Sequence, residues 1–203
     1  SLNIHMLTNK ERKYLLTQFP KVKPFYEKTL HNKVNKVDAN KFYMIIPSGK
    51  KYFIWFTYLN GRSVCISLSY IFKTKTIQQL HLIKCNFDAK LCSGVGTILY
   101  GTHVLLKKYN LFSVENIFYY KNTKVLFENQ YQKLSIIQTI LSNYISNKIY
   151  LKPEYLFKIP ILKRDYKNIV SSLNKLPYNV YCIQHRSWIE NEYLNEKVRV
   201  EKT

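Results

Sequence analysis

The chain has 203 residues, of which 46% are hydrophobic and 15% aromatic, so it can bury a sizeable core and is not a disordered segment. Its 32 Lys and Arg residues outnumber 12 Asp and Glu residues, which gives a formal charge of +20 at pH 7. This imbalance predicts a partner rich in negative charge, either nucleic acid or an acidic protein surface. No apolar run approaches the roughly 20 residues that cross a bilayer, so we expect no membrane partner.

The chain begins with the signature of a short helix. Thr8-Asn-Lys-Glu11 has the form of a capping box, in which each of the two side chains accepts a hydrogen bond from the other residue's backbone N–H. Two prolines soon after it interrupt regular structure. We expect residues 1–30 to form either a helical arm or part of the core, and residues 31–203 to form the main domain.

Strand patterns dominate from residue 31 to about residue 125, with runs rich in Tyr, Phe, Ile and Val between turn signals. Asn60-Gly61 is the strongest hairpin signal, because both residue types tolerate positive φ. The run around Trp55 is apolar on both faces, which predicts a central, buried strand. The expected strands here are Lys41–Ile46, Lys51–Tyr58, Arg62–Leu68, Thr76–Lys84, Gly96–Leu106 and Leu111–Tyr120.

The second half of the chain mixes helices and strands. Gln130–Tyr144 has apolar residues at the spacing of one helical face. Arg164–Leu176 is expected to be a second helix, with Ile169, Val170 and Leu173 facing inward. The segment between these helices contains two prolines and is expected to be irregular, and Tyr178–His185 and Tyr193–Val200 are expected to close the chain as strands. The pattern predicts a single α+β domain with a twisted, mainly antiparallel sheet flanked by a few helices.

Metal and catalytic signatures are absent from the sequence. The four cysteines form no C-x-x-C pair, and Cys65 alternates with apolar residues as a buried thiol does. This favours a reduced, intracellular protein. No H-E-x-x-H, G-x-S-x-G or P-loop pattern occurs. Asp88 is typical of a turn residue, and His103 is typical of a strand histidine whose hydrogen bonds are made within the protein. We expect no metal and no cofactor.

Three segments carry a resemblance to a known family. They are Ile46-Pro-Ser48-Gly49-Lys-Lys51, Gly96-Thr-Ile-Leu-Tyr100-Gly101-Thr102-His-Val104 and Phe112-Ser-Val-Glu-Asn-Ile-Phe-Tyr-Tyr120. In order and spacing they resemble the K-x-D-G-x-R, G-T-L-L-D-G-E-L-V and F-x-x-x-D-I-L-x-Y elements of the nucleotidyltransferase core of mRNA capping enzymes and polynucleotide ligases. The Gln130–Leu141 helix resembles that family's R-L-x-x-L helix, with Lys133-Leu134 in the frame of its first two residues.

The resemblance implies a nucleotidyltransferase-like fold whose reactive residues are replaced. Ile46 stands at the position of the nucleophilic lysine, and an isoleucine has no lone pair with which to attack an α-phosphate. Tyr100 and Thr102 stand where the family has carboxylates that bind metal and ribose, and Ser48 stands where it has the motif aspartate. The turn glycines, Gly49 and Gly101, remain. We therefore expect no nucleotidyl transfer, and we interpret the chain as a pseudoenzyme.

What the resemblance implies for function is a catalytically inactive capping-enzyme-like module. It would bind nucleic acid, RNA more readily than DNA, or a protein partner within a larger assembly for viral transcription or mRNA processing. Two alternatives stay open: a structural or virion protein that contacts acidic protein neighbours, and a residual nucleotide-binding regulator. An AT-rich composition favours a large DNA virus, with the cytoplasm or a viral factory as the location and packaging in virions left open. The residues expected to bind phosphate are Lys50, Lys51, Arg62, Lys107, Lys108 and Arg186.

Tyrosine and tryptophan side chains of the same region offer a second kind of contact. Tyr52, Trp55, Tyr58, Tyr119 and Tyr120 are expected either to present stacking faces for single-stranded RNA or to be core residues. The sequence alone leaves this choice open.

Overall fold

A computed structural model describes residues 6–32 and 38–198. The helices are α1 (Asn9–Gln18), α2 (Gln130–Asn143) and α3 (Tyr166–Ser172). The strands of the first half are β1 (Lys28–Thr29), β2 (Lys41–Pro47), β3 (Lys50–Leu59), β4 (Arg62–Ile71), β5 (Thr76–Leu82), β6 (Asn86–Phe87) and β7 (Thr97–Leu105). Those of the second half are β8 (Asn110–Tyr120), β9 (Thr123–Lys124), β10 (Ile145–Ser146), β11 (Leu156–Lys158), β12 (Leu162–Lys163), β13 (Val180–Ser187) and β14 (Tyr193–Glu196).

The strands form two large sheets and one short pair. The larger sheet has the order β11-β8-β7-β3-β4-β5, with β9 paired to β8, and the smaller has the order β1-β14-β13-β2-β12. Strand β10 pairs with β6. All pairs are antiparallel except β1 with β14 and β11 with β8. The prediction of an α+β domain with a mainly antiparallel sheet is confirmed, whereas its division into two sheets was not predicted.

Local sequence signals are reproduced in detail. Thr8 caps α1 in a capping box, accepting from the backbone N–H of Glu11 while the Glu11 carboxylate accepts from that of Thr8. Asn60 and Gly61 join β3 to β4 with φ values of 51° and 75°, the positive values that a two-residue hairpin turn of this kind requires. Asp88 caps a 3₁₀ turn by accepting from the N–H of Lys90, which is the turn role expected of it.

Strand β3 lies at the centre of the seven-stranded sheet and is buried on both faces. Ile54 and Phe56 pack in one apolar cluster with α2, and Phe53 and Trp55 pack in another on the opposite face. The second cluster also contains Leu15 and Phe19, so the first helix and the chain after it cover that face. The expectation of a central buried strand is confirmed.

Two expectations for the second half are wrong. Val170 is 39% exposed instead of facing inward, because adjacent residues of a helix point about 100° apart and Ile169 makes the buried contact with the five-stranded sheet. The helix α3 also ends earlier than expected, at Ser172, and continues only as a 3₁₀ turn. The segment expected to be irregular contains β11, which pairs with β8 in parallel. The end of the last expected strand, residues 199–200, lies outside the described residues.

No helix within residues 6–32 and 38–198 has the length and apolar character that crossing a bilayer requires.

Candidate functional site

A cluster of buried polar side chains lies between the two sheets. Glu115 of β8 contributes to it because of a β-bulge: Tyr100 pairs with Asn116 and Gly101 with Val114, which leaves Glu115 as the extra residue. The bulge breaks the alternation of the strand, so the neighbouring residues Glu115 and Asn116 line the same small cavity. A local irregularity thus directs a carboxylate into the space between the sheets.

The Glu115 carboxylate is fully engaged by its neighbours. The Lys51 Nζ donates to Glu115 Oε1 at 2.5 Å and to Thr102 Oγ1 at 2.6 Å, and the Thr102 hydroxyl donates to Glu115 Oε2 at 2.7 Å. The side chains of Lys51 and Glu115 are 14% and 3% exposed, so this ion pair is shielded from water. A buried pair of this kind retains its charges only while both partners are present.

Arg186 of β13 is a buried cation held by neutral groups. Its Nε donates to Gln184 Oε1 at 2.7 Å, and its Nη1 donates to the Glu115 backbone carbonyl at 2.8 Å and to Gln130 Oε1 at 3.2 Å. The guanidinium also lies 4.7 Å from the centre of the Tyr193 ring. Burial lowers the pKa of Arg186, although the guanidinium remains the protonated form at neutral pH.

Lys133 of α2 is a second buried cation, 1% exposed. Its Nζ donates to the Leu126 carbonyl at 3.1 Å and to the Tyr193 hydroxyl at 3.2 Å. Among the described residues, no carboxylate accepts a hydrogen bond from it. Burial, and then the charge of Arg186, lower the pKa of Lys133 to about 7, so a large fraction of this amine is neutral at physiological pH.

The chain segment 24–27 closes this cluster from outside. The Phe25 ring stacks on Tyr193 with centroids 5.2 Å apart and lies 4.9 Å from the Lys133 Nζ, and Glu27 Oε1 accepts from Gln184 Nε2 at 2.6 Å. The cavity that remains between this segment and Arg186 has a volume of about 10 Å³. The space between the sheets is therefore filled by the protein's own side chains.

The structure does not bring the six predicted phosphate-binding residues together. Lys51 and Arg186 belong to the buried cluster, whereas Lys50, Lys107 and Lys108 are exposed near a cleft of about 520 Å³ at one end of β3. Arg62 pairs with Leu59 at the other end of β3, roughly 30 Å away at strand rise. The separation follows from the hairpin, because Arg62 begins β4 where β3 ends.

The positions that resemble the nucleotidyltransferase motifs are also divided between the buried interior and the open cleft. Ile46 is 1% exposed in an apolar cluster with Cys182, Tyr100 is 7% exposed in the core, and Thr102 accepts from Lys51. Gly101 lies so close to β8 that a Cβ there would meet the Ser113 carbonyl oxygen at 1.8 Å. Ser48 and Gly49 are exposed and line the open cleft beside His103.

The aromatic residues proposed for stacking are mostly part of the core. Trp55 is 1% exposed and donates to the Val95 carbonyl, and Tyr52 packs against the cluster on the α2 side. Tyr119 packs on the opposite face, whereas Tyr58 is 47% exposed. The core interpretation is thus correct for Trp55 and wrong for Tyr58.

Sequence reasoning missed Lys133, Gln130 and Tyr193 as members of the buried cluster. Lys133 and Gln130 look like solvent-facing polar residues of an amphipathic helix, and nothing local marks them as buried. Their partners come from β13 and β14, which lie about 50–60 residues further along the chain. No group of three or more His, Cys, Asp or Glu side chains placed to hold a metal occurs in the described part of the chain.

The stability of the protein is expected to rise with pH between about 7 and 8.5 because of Lys133. The unfolded chain binds a proton at this lysine up to a pKa of about 10.4, whereas the folded protein releases it near 7, so the unfolded state holds more protons in between. The slope from this group is at most about 1.4 kcal/mol per pH unit. Urea unfolding at a series of pH values measures it.

The matched control is Lys133→Met, which keeps the length of the side chain and removes the titrating amine. Its free energy of unfolding should lack the rise seen in the unchanged protein. Above about pH 8.5 the buried thiols of Cys92 and Cys182, whose pKa values burial raises to about 11 and about 12, act in the opposite direction in both proteins. Equal pH slopes for the two proteins would contradict the assignment to Lys133.

No protein-family model matches the chain, and no curated protein matches it.

Proposed function

We propose that the protein is a catalytically inactive, capping-enzyme-like module that binds nucleic acid, RNA more readily than DNA. The resemblance of its glycine-containing segments to the nucleotidyltransferase core supplies the family part of this proposal. The observation that carries it is the closed interior: the space between the sheets is filled by the 24–27 segment, while Lys50, Lys107 and Lys108 are exposed outside it. Binding at the surface without transfer of a nucleotide fits that distribution.

The interior chemistry argues against nucleotidyl transfer. Ile46 is buried among apolar side chains and offers no amine. Lys51 is the lysine of the buried polar cluster that is closest in sequence to Ile46. Its Nζ is occupied by hydrogen bonds to Glu115 and Thr102. Burial raises the pKa of Tyr100, so its phenol stays neutral and is a poor substitute for a metal-binding carboxylate.

The open cleft at the end of β3 is the part of this region that can contact phosphate. Ser48, Gly49 and Asn179 are among its lining residues, and no acidic residue lines it within the described chain. Lys50 follows Gly49 directly, and Lys107 and Lys108 lie in the turn between β7 and β8 that borders it. These three exposed lysines are suited to neutralise phosphates without reading sequence.

Binding of a labelled single-stranded RNA is expected to weaken steeply as salt increases. Because each phosphate contact releases a counterion, replacing Lys50, Lys107 or Lys108 by alanine should reduce the slope of log K against log salt by about 0.7 each. A DNA strand of equal length, measured in parallel, tests the preference for RNA. Absence of binding at low salt would contradict the proposal and favour an acidic protein neighbour instead.

Incubation with labelled GTP or ATP and a divalent metal should leave the protein without a covalently bound nucleotide. A lysine-linked nucleotide would overturn the interpretation as an inactive module.

A further inference from the structure

Aromatic rings and lysines also lie together at the opposite end of the seven-stranded sheet from the open cleft. We call this surface the tyrosine–lysine face, formed by Lys90, Tyr120, Lys121, Tyr144, Lys148 and Tyr150. A groove of about 670 Å³ runs along it between the end of α2 and the β6–β10 pair. None of these residues was singled out for phosphate binding from the sequence.

The contacts within the face show that it is continuous. The Lys121 Nζ donates to the Tyr144 hydroxyl and lies 4.1 Å from the centre of the Tyr144 ring and 5.1 Å from that of Tyr120. Lys148 lies in the groove beside Tyr144, and its Nζ is 5.9 Å from the centre of the Tyr150 ring. Each lysine therefore stands next to a ring, the pairing that a single-stranded nucleic acid meets with its phosphates and its bases.

The charge of the face is positive. Lys90 acts on Tyr144 through space and, after the hydrogen bonds from Lys121 and Tyr120, contributes to lowering the pKa of that phenol. Asp88, the acid among the groove-lining residues, uses its carboxylate to accept from the backbone N–H of Lys90. The face thus has three lysines and, among the groove-lining residues, one acid, Asp88, whose Oδ1 already accepts a hydrogen bond.

One feature indicates unfilled binding capacity. Tyr150 is 73% exposed and its neighbour Ile149 is 70% exposed, so a broad apolar surface stands in water beside the groove. An exposed aromatic ring next to lysines can stack on an unpaired base.

We propose that the tyrosine–lysine face binds single-stranded RNA by stacking a base on Tyr150 and placing phosphates on Lys90, Lys121 and Lys148. The inference rests on the proposed nucleic-acid-binding function and names the surface that recognises unpaired bases. The lysines around the open cleft would contact phosphate alone and so would bind single and double strands alike, whereas the tyrosine–lysine face would prefer a single strand. Stacking requires bases that are free of a duplex.

The test compares Tyr150→Ala with Tyr26→Ala in fluorescence anisotropy. Tyr26 is 86% exposed and lies outside this face, so neither change should disturb the fold. Against an unstructured oligouridine of about 12 nucleotides, Tyr150→Ala should weaken binding about 10-fold and Tyr26→Ala should leave it unchanged. Binding of an RNA duplex of equal length should be the same for both variants, since its bases cannot stack on a protein ring.

A second measurement is independent of variants. Ultraviolet crosslinking of the oligouridine to the unchanged protein should label peptides that contain residues 142–150. Wild-type affinity of Tyr150→Ala, together with crosslinks confined to peptides around residues 48–50 and 103–108, would overturn this inference while leaving RNA binding by the protein intact. If the unchanged protein binds no single strand at low salt, the proposed function and this inference both fail.

Discussion

Replacing Glu115 by alanine is expected to lower the free energy of unfolding by about 3–5 kcal/mol, the range for removing one partner of a buried ion pair. The change leaves the Thr102 hydroxyl without its acceptor and the Lys51 ammonium without its carboxylate partner, and it removes a negative charge that acts on Arg186. Guanidinium unfolding monitored by tryptophan fluorescence measures the loss.

The paired variant Lys51→Met with Glu115→Leu serves as the control for charge. It removes both members of the ion pair and fills the space with apolar atoms, so it should be less destabilised than Glu115→Ala alone. Glu190→Ala, at an exposed site, should change stability by less than about 0.5 kcal/mol. A loss below about 1 kcal/mol for Glu115→Ala would show that water reaches this pair.

Gly96→Ala is expected to destabilise the protein by about 3–5 kcal/mol. Gly96 has a φ of +96°, and a Cβ there would meet the Phe56 carbonyl oxygen at 2.0 Å. Backbone strain of about 1–2 kcal/mol is therefore joined by a collision between the residue that precedes β7 and the central strand β3, which neither backbone can relieve cheaply. Thermal and urea unfolding of the purified variant would measure the effect.

Gly61→Ala separates strain from collision. Gly61 has a φ of +75°, but a Cβ there meets nothing within 4 Å. Only the strain remains, so a loss of about 1–2 kcal/mol is expected. Equal losses at the two glycines would contradict the view that residue 96 must be glycine because its backbone lies against β3.

The predictable part of this fold is the part specified locally. The capping box at Thr8 and the Asn60-Gly61 hairpin are each satisfied by residues within a few positions, so their sequence signals suffice. The central position of β3 follows from apolar residues on both of its faces. Together with the strand patterns of β5, β7 and β8, these signals predict five of the seven strands of the larger sheet.

The buried polar cluster could not be predicted because its partners are distant in sequence. Arg186 looks like a free cation near the end of the chain, yet it donates to Glu115 and Gln130, 71 and 56 residues away. The bulge that turns Glu115 inward has no signature of its own. The assignment of Lys50 and Arg62 to one site is wrong for a different reason, because the predicted hairpin at Asn60-Gly61 already places them at opposite ends of β3.

The contact between Glu27 and Gln184 spans 157 residues and has a consequence for synthesis of the protein. At about 5–20 residues per second, a ribosome makes Gln184 roughly 8–30 s after Glu27. During that interval Tyr193 and β14 have not yet been made. Phe25 therefore cannot stack on Tyr193, and β1 cannot pair with β14. The nascent chain therefore lacks the cover for the Phe25 ring until Tyr193 has been made.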